Sequence, residues 1–324
     1  MDFNTLFQGF NDKKVLIIGD AMIDAYMWGE INRISPEAPV PVVEVKKHEN
    51  RLGGAANVAL NLKALGADPI LCSVIGTGKR GVLFHELMLE SKLSTSGILS
   101  TNKRKTTIKT RVIAENKHQL RIDEEETSPI LETEKFLNLA ISLMHNIDVI
   151  ILQDYNKGVL TTEIIEAVIT TANKKGIPTI ADPKKINFKS YKNCTIFKPN
   201  LAEIKGGMKV DFNENNIAEI EKTTTKLRKE LSTKAVLLTL SEKGICINSE
   251  KDFKHSPAFK RNIIDVSGAG DTVISVASLC LASAVDYTEL SVLSTLAGGI
   301  VCEQAGVVPI NKEKLLTQAI KQIN

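Results

Sequence analysis

Short apolar runs alternate with helical patterns along most of the chain. Residues 15–18, Val-Leu-Ile-Ile, form one such run, and the Gly19-Asp20 pair that closes it predicts a buried first strand ending in a polar loop. Similar runs at 70–75, 149–152, 179–181, 195–198 and 235–240 predict further strands, with helical patterns at 55–65, 162–175 and 217–231 between them. This alternation predicts an α/β fold: a doubly wound, mainly parallel sheet flanked by helices, with its ligand edge at the strand ends. Two stretches break the rhythm. Residues 40–46 follow the turn-rich Ser35-Pro36-Glu37-Ala38-Pro39, and residues 106–123 carry alternating Ile108, Thr110 and Val112, then Leu120 and Ile122. They predict antiparallel strands outside the main sheet, a small β lid over its ligand edge; the alternative is an edge extension that touches no ligand. No repeat, low-complexity tract or linker interrupts the pattern, which predicts one domain over 1–324 with lid strands from about 33–48 and 104–124.

Composition narrows the class of partner. With 43% hydrophobic residues among 324, the chain has ample material for a core. The net charge of +3, without any long basic stretch, argues against nucleic acid and leaves a small anionic ligand. Cys72, Cys194, Cys246, Cys280 and Cys302 are too scattered for a zinc site or a disulfide scaffold and read as reduced core residues. Residues 1–11 lack the basic start and apolar run of a secretory signal. No apolar run approaches the roughly 20 residues of a membrane span. The expectation is a cytoplasmic protein with no membrane partner.

The segment with most chemical content is Asp265-Val266-Ser267-Gly268-Ala269-Gly270-Asp271-Thr272, followed at 273–284 by a small-residue and apolar stretch that reads as a helix. Gly268, Ala269 and Gly270 allow a tight turn at a helix N-terminus, where free N–H groups and the positive dipole end hold an anion. Asp271 then stands beside the anion and is placed to take a proton from an attacking hydroxyl. The alternative makes Ser267 and Asp271 helix caps and the glycines turn formers. Gly53-Gly54-Ala55-Ala56-Asn57 opens another helix, its glycines permitting close approach to a ligand and Asn57 offering donors and acceptors to hydroxyls; the alternative is a plain loop-to-helix junction. Asp20 and Asp24 read as acceptors for two substrate hydroxyls, or as ordinary turn carboxylates. Gly76-Thr77-Gly78-Lys79-Arg80 is not a phosphate-binding Walker loop, because Ser73 holds the first glycine's place and Arg80 that of the Ser or Thr. His48, His85, His118, His145 and His255 have no metal-binding spacing.

Taken in order, these segments resemble the ribokinase-like sugar kinases, the phosphofructokinase-B superfamily, over nearly the whole chain. The family signature Asp-Thr-x-Gly-Ala-Gly-Asp is met at 265–271, with Val266 in place of Thr. The resemblance implies ATP and Mg²⁺ as cofactors, Asp271 as catalytic base and Gly268, Ala269 and Gly270 as an anion hole. Lys198-Pro199-Asn200-Leu201-Ala202-Glu203 is similar to the family's Asn-x-x-Glu element, which implies that Asn200 and Glu203 place Mg²⁺ and the nucleotide phosphates, Glu203 through metal-bound water. Ser241, Glu242 and Gly244 resemble the nucleotide-contacting turn. In members that use a monovalent cation, K⁺, the matching residues are Asp265 and Ser267.

Within that family, Arg33-Ile34-Ser35-Pro36-Glu37-Ala38-Pro39-Val40-Pro41-Val42-Val43 is similar to the D-glycero-β-D-manno-heptose 7-phosphate kinases. So are Gln119-Leu120-Arg121-Ile122-Asp123, Asp154-Tyr155-Asn156-Lys157-Gly158 and Ala181-Asp182-Pro183-Lys184. That resemblance implies phosphorylation of the anomeric C1 hydroxyl of a heptose 7-phosphate, on the route to ADP-heptose and the lipopolysaccharide core. Asp20, Asp24, Gly53, Gly54, Asn57 and Asp154 would then meet the sugar, and Lys109, Arg111, Arg121 and Lys157 its existing phosphate. Lid strands that pair across a two-fold axis in relatives imply a homodimer. No His-x-Gly-His motif occurs before Asn324, which implies either a separate adenylyltransferase for the next step or a further part of the natural protein. The rival readings are a same-fold kinase for another sugar and a non-catalytic sugar or nucleotide sensor.

Overall fold

A computed structural model describes residues 2–115 and 117–323. Met1, Asn116 and Asn324, which the predicted 1–324 domain and the 104–124 lid stretch include, lie outside the described residues. The chain opens with α1 (Phe3–Gly9) and a 3-10 turn, then forms β1 (Lys14–Gly19), β2 (Ala21–Ile34), β3 (Pro41–Gly54) and α2 (Ala55–Ala64). Next come β4 (Asp68–Gly76), α3 (Lys79–Glu90), β5 (Ile98–Thr101), β6 (Thr107–Ala114), β7 (Lys117–Glu124), α4 (Thr133–Ser142) and β8 (Val149–Gln153). They are followed by α5 (Thr162–Lys174), β9 (Thr179–Asp182), β10 (Ile196–Phe197), α6 (Leu201–Met208), α7 (Ile217–Leu231) and β11 (Ala235–Thr239). The chain ends with β12 (Ile245–Ser249), β13 (Phe253–Ser256), α8 (Ala269–Ala282), α9 (Tyr287–Val301) and α10 (Lys312–Gln322).

The main sheet has the order β13-β12-β11-β10-β9-β8-β1-β4-β5, parallel except at β12 and β13. From β1 the chain first builds outward through β4 and β5, then returns to β8 on the other side and builds through β13. The reversal makes the β1/β8 boundary the switch point, where the loops diverge and leave a crevice at the strand ends. Asp20 follows β1 there, and Gln153 ends β8. Along β1, Val15 and Ile17 join the core shared with α2, α8 and α9, while Leu16 and Ile18 join that of α4 to α7. All four are fully buried, each contributing about 1.5–3 kcal/mol of transfer free energy. The five cysteines are free and buried, as expected, and burial pushes the thiols of Cys72, Cys194 and Cys246 up to about 12.

A second sheet, β3-β2-β6-β7, stands apart from the first. It contains the two predicted lid stretches but differs from the expectation in extent and pairing. Strand β2 runs directly on from β1 with only Asp20 between, and its 14 residues pass from fully buried to exposed as they leave the core. The β2–β3 and β6–β7 pairs are antiparallel, whereas β2 and β6 run parallel, because the chain returns to β2 only after passing through the main sheet. The predicted 195–198 strand shrinks to the two residues of β10, since Pro199 follows and cannot donate to the ladder.

Candidate active site

Gly268 occupies the N-cap of α8 with φ 81 and makes no side-chain cap bond. Neither Ser267 nor Asp271 caps this helix; in its first turn the Ala269 N–H donates to the Val266 carbonyl at 3.2 Å, while the Gly270 and Asp271 N–H groups are left unblocked. Positive φ explains the glycine: a side chain at 268 would be strained and would press within 3.2 Å of Asn57 Nδ2. Asp271, in the first turn of α8, is 7% exposed and turns its carboxylate into the switch-point crevice. There Asn57 Nδ2 donates to its Oδ2 at 2.7 Å, while Tyr155 OH (2.5 Å) and Gln153 Nε2 (3.3 Å) donate to its Oδ1. Burial pushes Asp271 up to about 6, against the pull of the Asn57 and Tyr155 hydrogen bonds. A carboxylate so poised accepts a proton readily and is ionised at neutral pH.

Behind Asp271 lies a chain of charges. Gln153 Nε2 also donates to Asp182 Oδ2 at 3.3 Å, and that carboxylate pairs with Lys198 Nζ at 2.9 Å. Lys198, 3% exposed, follows β10 and sits beside the α8 turn, 4.0 Å from where a Cβ on Gly270 would stand. The sequence pattern alone assigns no role to Lys198. A lysine closing an apolar run is the signal, since a buried ammonium must be paired. Tyr155, Gln153, Asp182 and Lys184 were likewise without assigned roles.

At the start of α6, Asn200 Oδ1 accepts the Glu203 N–H at 2.8 Å and Glu203 Oε2 accepts the Asn200 N–H at 2.8 Å, a reciprocal capping box. Glu203 Oε1 pairs with Lys184. Burial lowers the Lys184 ammonium, yet the carboxylates of Asp182 and Glu203 outweigh it and hold the lysine above its usual range. Asn200 bridges to Thr239 at the end of β11, so the exposed turn with Ser241 and Glu242, closed by the buried Gly244, adjoins it. Among the described residues no cluster of three or more His, Cys, Asp or Glu side chains could hold a metal. The donor set present fits Mg²⁺ as an ion carried mainly by phosphate and water oxygens, which Glu203 would reach through water.

The sugar-side expectations divide. Asp20 is 1% exposed and its carboxylate is taken by the backbone N–H groups of Tyr155 (2.8 Å), Lys157 (3.0 Å) and Val159 (3.0 Å). Instead of presenting acceptors to a hydroxyl, it pins the loop after β8. Asp154 is similarly engaged, by Tyr191 OH at 2.8 Å and Asn156 N at 2.7 Å, and burial together with Asp20 pushes it up to about 6. Asp24 instead lies on the lid, in register with Lys109, paired with Arg111 and against the backbone of Gly53, where any Cβ would collide with it. Gly54, with φ 59, turns the chain from β3 into α2 and so delivers Asn57. Lys109, Arg111 and Arg121 share one face of the lid by strand alternation. Burial lowers the Lys109 ammonium, and the neighbouring Lys157 lowers it further. Lys157 pairs with Glu125 at 2.8 Å, and Arg121 with Asp123 at 3.0 Å. Asp265 accepts from the Ser267 and Gly306 N–H groups, both at 2.9 Å, and so shapes the loop before the Gly268 to Gly270 turn.

Residues 12–314 match the pfkB family carbohydrate kinase profile. The chain belongs to that family. It is 40% identical over 314 residues to the bifunctional protein HldE of Desulfatibacillum aliphaticivorans, covering 95% of this chain and 63% of that protein. It is 36% identical over 305 residues to the bifunctional protein HldE of Helicobacter pylori strain HPAG1, covering 94% of this chain and 65% of that protein. This pfkB kinase thus spans less than two-thirds of either relative. Phosphofructokinase-2 from Escherichia coli, solved in complex with potassium, superimposes with a TM-score of 0.80 at 16% identity, covering 94% of this chain and 98% of that one. Arabidopsis thaliana ribokinase complexed with ribose and ATP gives 0.74 at 18% identity, with 94% and 98% covered. The fold is accordingly ribokinase-like, and the protein is a carbohydrate kinase. No helix among its described residues is long and apolar enough to cross a membrane.

Proposed function

We propose that the chain transfers the γ-phosphoryl group of ATP to the anomeric C1 hydroxyl of D-glycero-D-manno-heptose 7-phosphate. The observation that carries the kinase chemistry is the buried Asp271 carboxylate at the uncapped N-terminus of α8, with the Lys198 ammonium beside the same turn. Asp271 Oδ2 takes the proton of the C1 hydroxyl. The C1 oxygen then forms its bond to the γ-phosphorus as the bond from that phosphorus to the β–γ bridging oxygen breaks, and ADP leaves with the bridging oxygen. The N–H groups of the Gly268 to Gly270 turn and the ammonium of Lys198 stabilise charge on the group in flight. Asn200, Glu203 and the Ser241, Glu242 and Gly244 turn hold the nucleotide side. Mg²⁺, when bound, neutralises phosphate charge there.

The choice of sugar rests on the lid. A substrate that already carries a phosphate needs cations away from the reacting carbon, and Lys109, Arg111, Arg121 and Lys157 supply them around Asp24. The bifunctional HldE relatives and the Arg33 to Val43 run support a heptose. A coupled ADP assay over heptose 7-phosphate, unphosphorylated heptose, fructose 6-phosphate and ribose tests the reading, with phosphorus NMR of the product locating the new phosphate on C1. Equal rates with and without the terminal phosphate would sink the substrate assignment. Replacing Na⁺ by K⁺ in the same assay tests the Asp265 and Ser267 cation site. The exposed Ile34, Leu120 and Ile122 of the lid support a homodimer.

A further inference from the structure

We propose that Tyr155 is the positioning residue for the base: its hydroxyl fixes Asp271 Oδ1 while Asn57 fixes Oδ2, leaving one oriented lone pair on Oδ2 for the acceptor's proton. The inference rests on the reading of Asp271 as base. Its geometry is that of a charge-assisted bond, since O–H donors reach ionised carboxylates at about 2.5–2.7 Å and Tyr155 OH stands 2.5 Å from Asp271 Oδ1. Gln153, at 3.3 Å from the same oxygen, is the weaker donor and is shared with Asp182.

The tyrosine is held from two further sides. Its own N–H donates to the buried Asp20 at 2.8 Å, so the pinned loop after β8 delivers the ring to the base. Lys184 Nζ stands 5.7 Å from the ring centroid, within cation–π reach, and the same ammonium pairs with Glu203 on the nucleotide side. The ring thus spans the space between the nucleotide-side carboxylate and the base. Every element packed around Asp271 contributes to its charge balance. Burial and Asp182, on β9, favour the protonated carboxyl, while Asn57 from α2, Tyr155 from the loop after β8 and Lys198 from the end of β10 favour the ionised form. Gln153, on β8, also donates to it. Removing the tyrosine hydroxyl takes one of the ionising contributions away.

The test is the pH profile of kcat for Tyr155→Phe. Loss of a hydrogen bond to the charged form moves the acid limb up by about one pH unit, a loss of about fivefold near pH 6 that nearly vanishes by about pH 8.5. The KM values for sugar and ATP stay within about twofold. A merely structural tyrosine would lower kcat equally at all pH values, and that result overturns the proposal. Should Tyr155→Phe fold poorly, 3-fluorotyrosine in place of Tyr155 keeps the shape with a more acidic hydroxyl and moves the limb down instead; an unmoved limb again overturns it. Asp271→Asn is assayed in parallel and falls by about 10²–10⁴. If Asp271→Asn keeps near-normal turnover, the base reading fails and the role of Tyr155 with it. If Asp271→Asn is inactive but neither Tyr155 variant moves the limb, the role of Tyr155 alone fails.

Discussion

The ammonium of Lys198 stands 4.0 Å from the position a Cβ on Gly270 would take, so the one glycine of the α8 turn with room for a methyl group points that methyl at a buried cation. Gly270 has none of the positive φ that Gly268 shows. Gly270→Ala therefore folds without strain, and helix propensity favours it by about 0.5–1 kcal/mol. The methyl nevertheless fills the space in which the transferred phosphoryl would sit between the turn and Lys198. The expected outcome is a kcat lowered by about 10–10² with an unchanged or higher melting temperature. Unchanged kcat would move the anion site elsewhere.

Asp271 also leaves a mark on stability. Its carboxyl is raised from 3.8 to about 6, so the folded state holds the proton more tightly than the unfolded chain. The stabilisation from this group is complete below the unfolded value and is lost as pH rises through about 6, amounting to about 2–3 kcal/mol. Asp271→Asn does not titrate. The variant should gain on the parent protein by about that amount between pH 4 and pH 7, measured by urea unfolding at a series of pH values. A difference that stays constant across the series would show that folding leaves the affinity of Asp271 for its proton unchanged.

Both features were legible in the sequence only in part. The parallel strands announced themselves because a strand buried on both faces reads as an unbroken apolar run, as 15–18 and 149–152 do. Strand β2 did not, because it begins one residue after β1 and changes environment halfway, so no single periodicity covers Ala21 to Ile34. In the site, the Gly-Ala-Gly-Asp turn and the Asn57 helix opening were readable as local chemistry, and Asn200 only through the family resemblance. Asp20 was not: its partners are N–H groups about 135 positions away, and an aspartate at a strand end looks the same whether it faces a ligand or a distant loop. Tyr155 meets Asp271 across a separation of 116 residues, a pairing that only the switch-point topology creates.

Glu203 carries two jobs that one substitution separates. Gln at the third helical position still reaches the N-cap N–H, so Glu203→Gln preserves the capping box with Asn200. It removes the negative charge that faces Lys184 and that, in the proposed reaction, would face a water-coordinated Mg²⁺. Titrating Mg²⁺ at fixed ATP should show the half-activating concentration raised by about tenfold or more, while the melting temperature changes little. An unaltered Mg²⁺ dependence would reduce Glu203 to a helix cap.

The lid offers the last prediction. Its basic side chains lie on one face of the strands, and alternation sends Leu120 and Ile122, 58% and 44% exposed, to the other. Two apolar side chains on a strand exposed at every residue are stable in water only at the expense of association, and a second lid placed across a two-fold axis would cover both. The double variant Leu120→Asp with Ile122→Asp should leave the protomer's stability within about 0.5 kcal/mol per site, because neither side chain packs in the core. Light scattering should find the parent protein as a dimer and the variant as a monomer. A variant that stays dimeric would place the interface elsewhere on the molecule, and a parent that is monomeric at assay concentrations would leave the lid to act within a single chain.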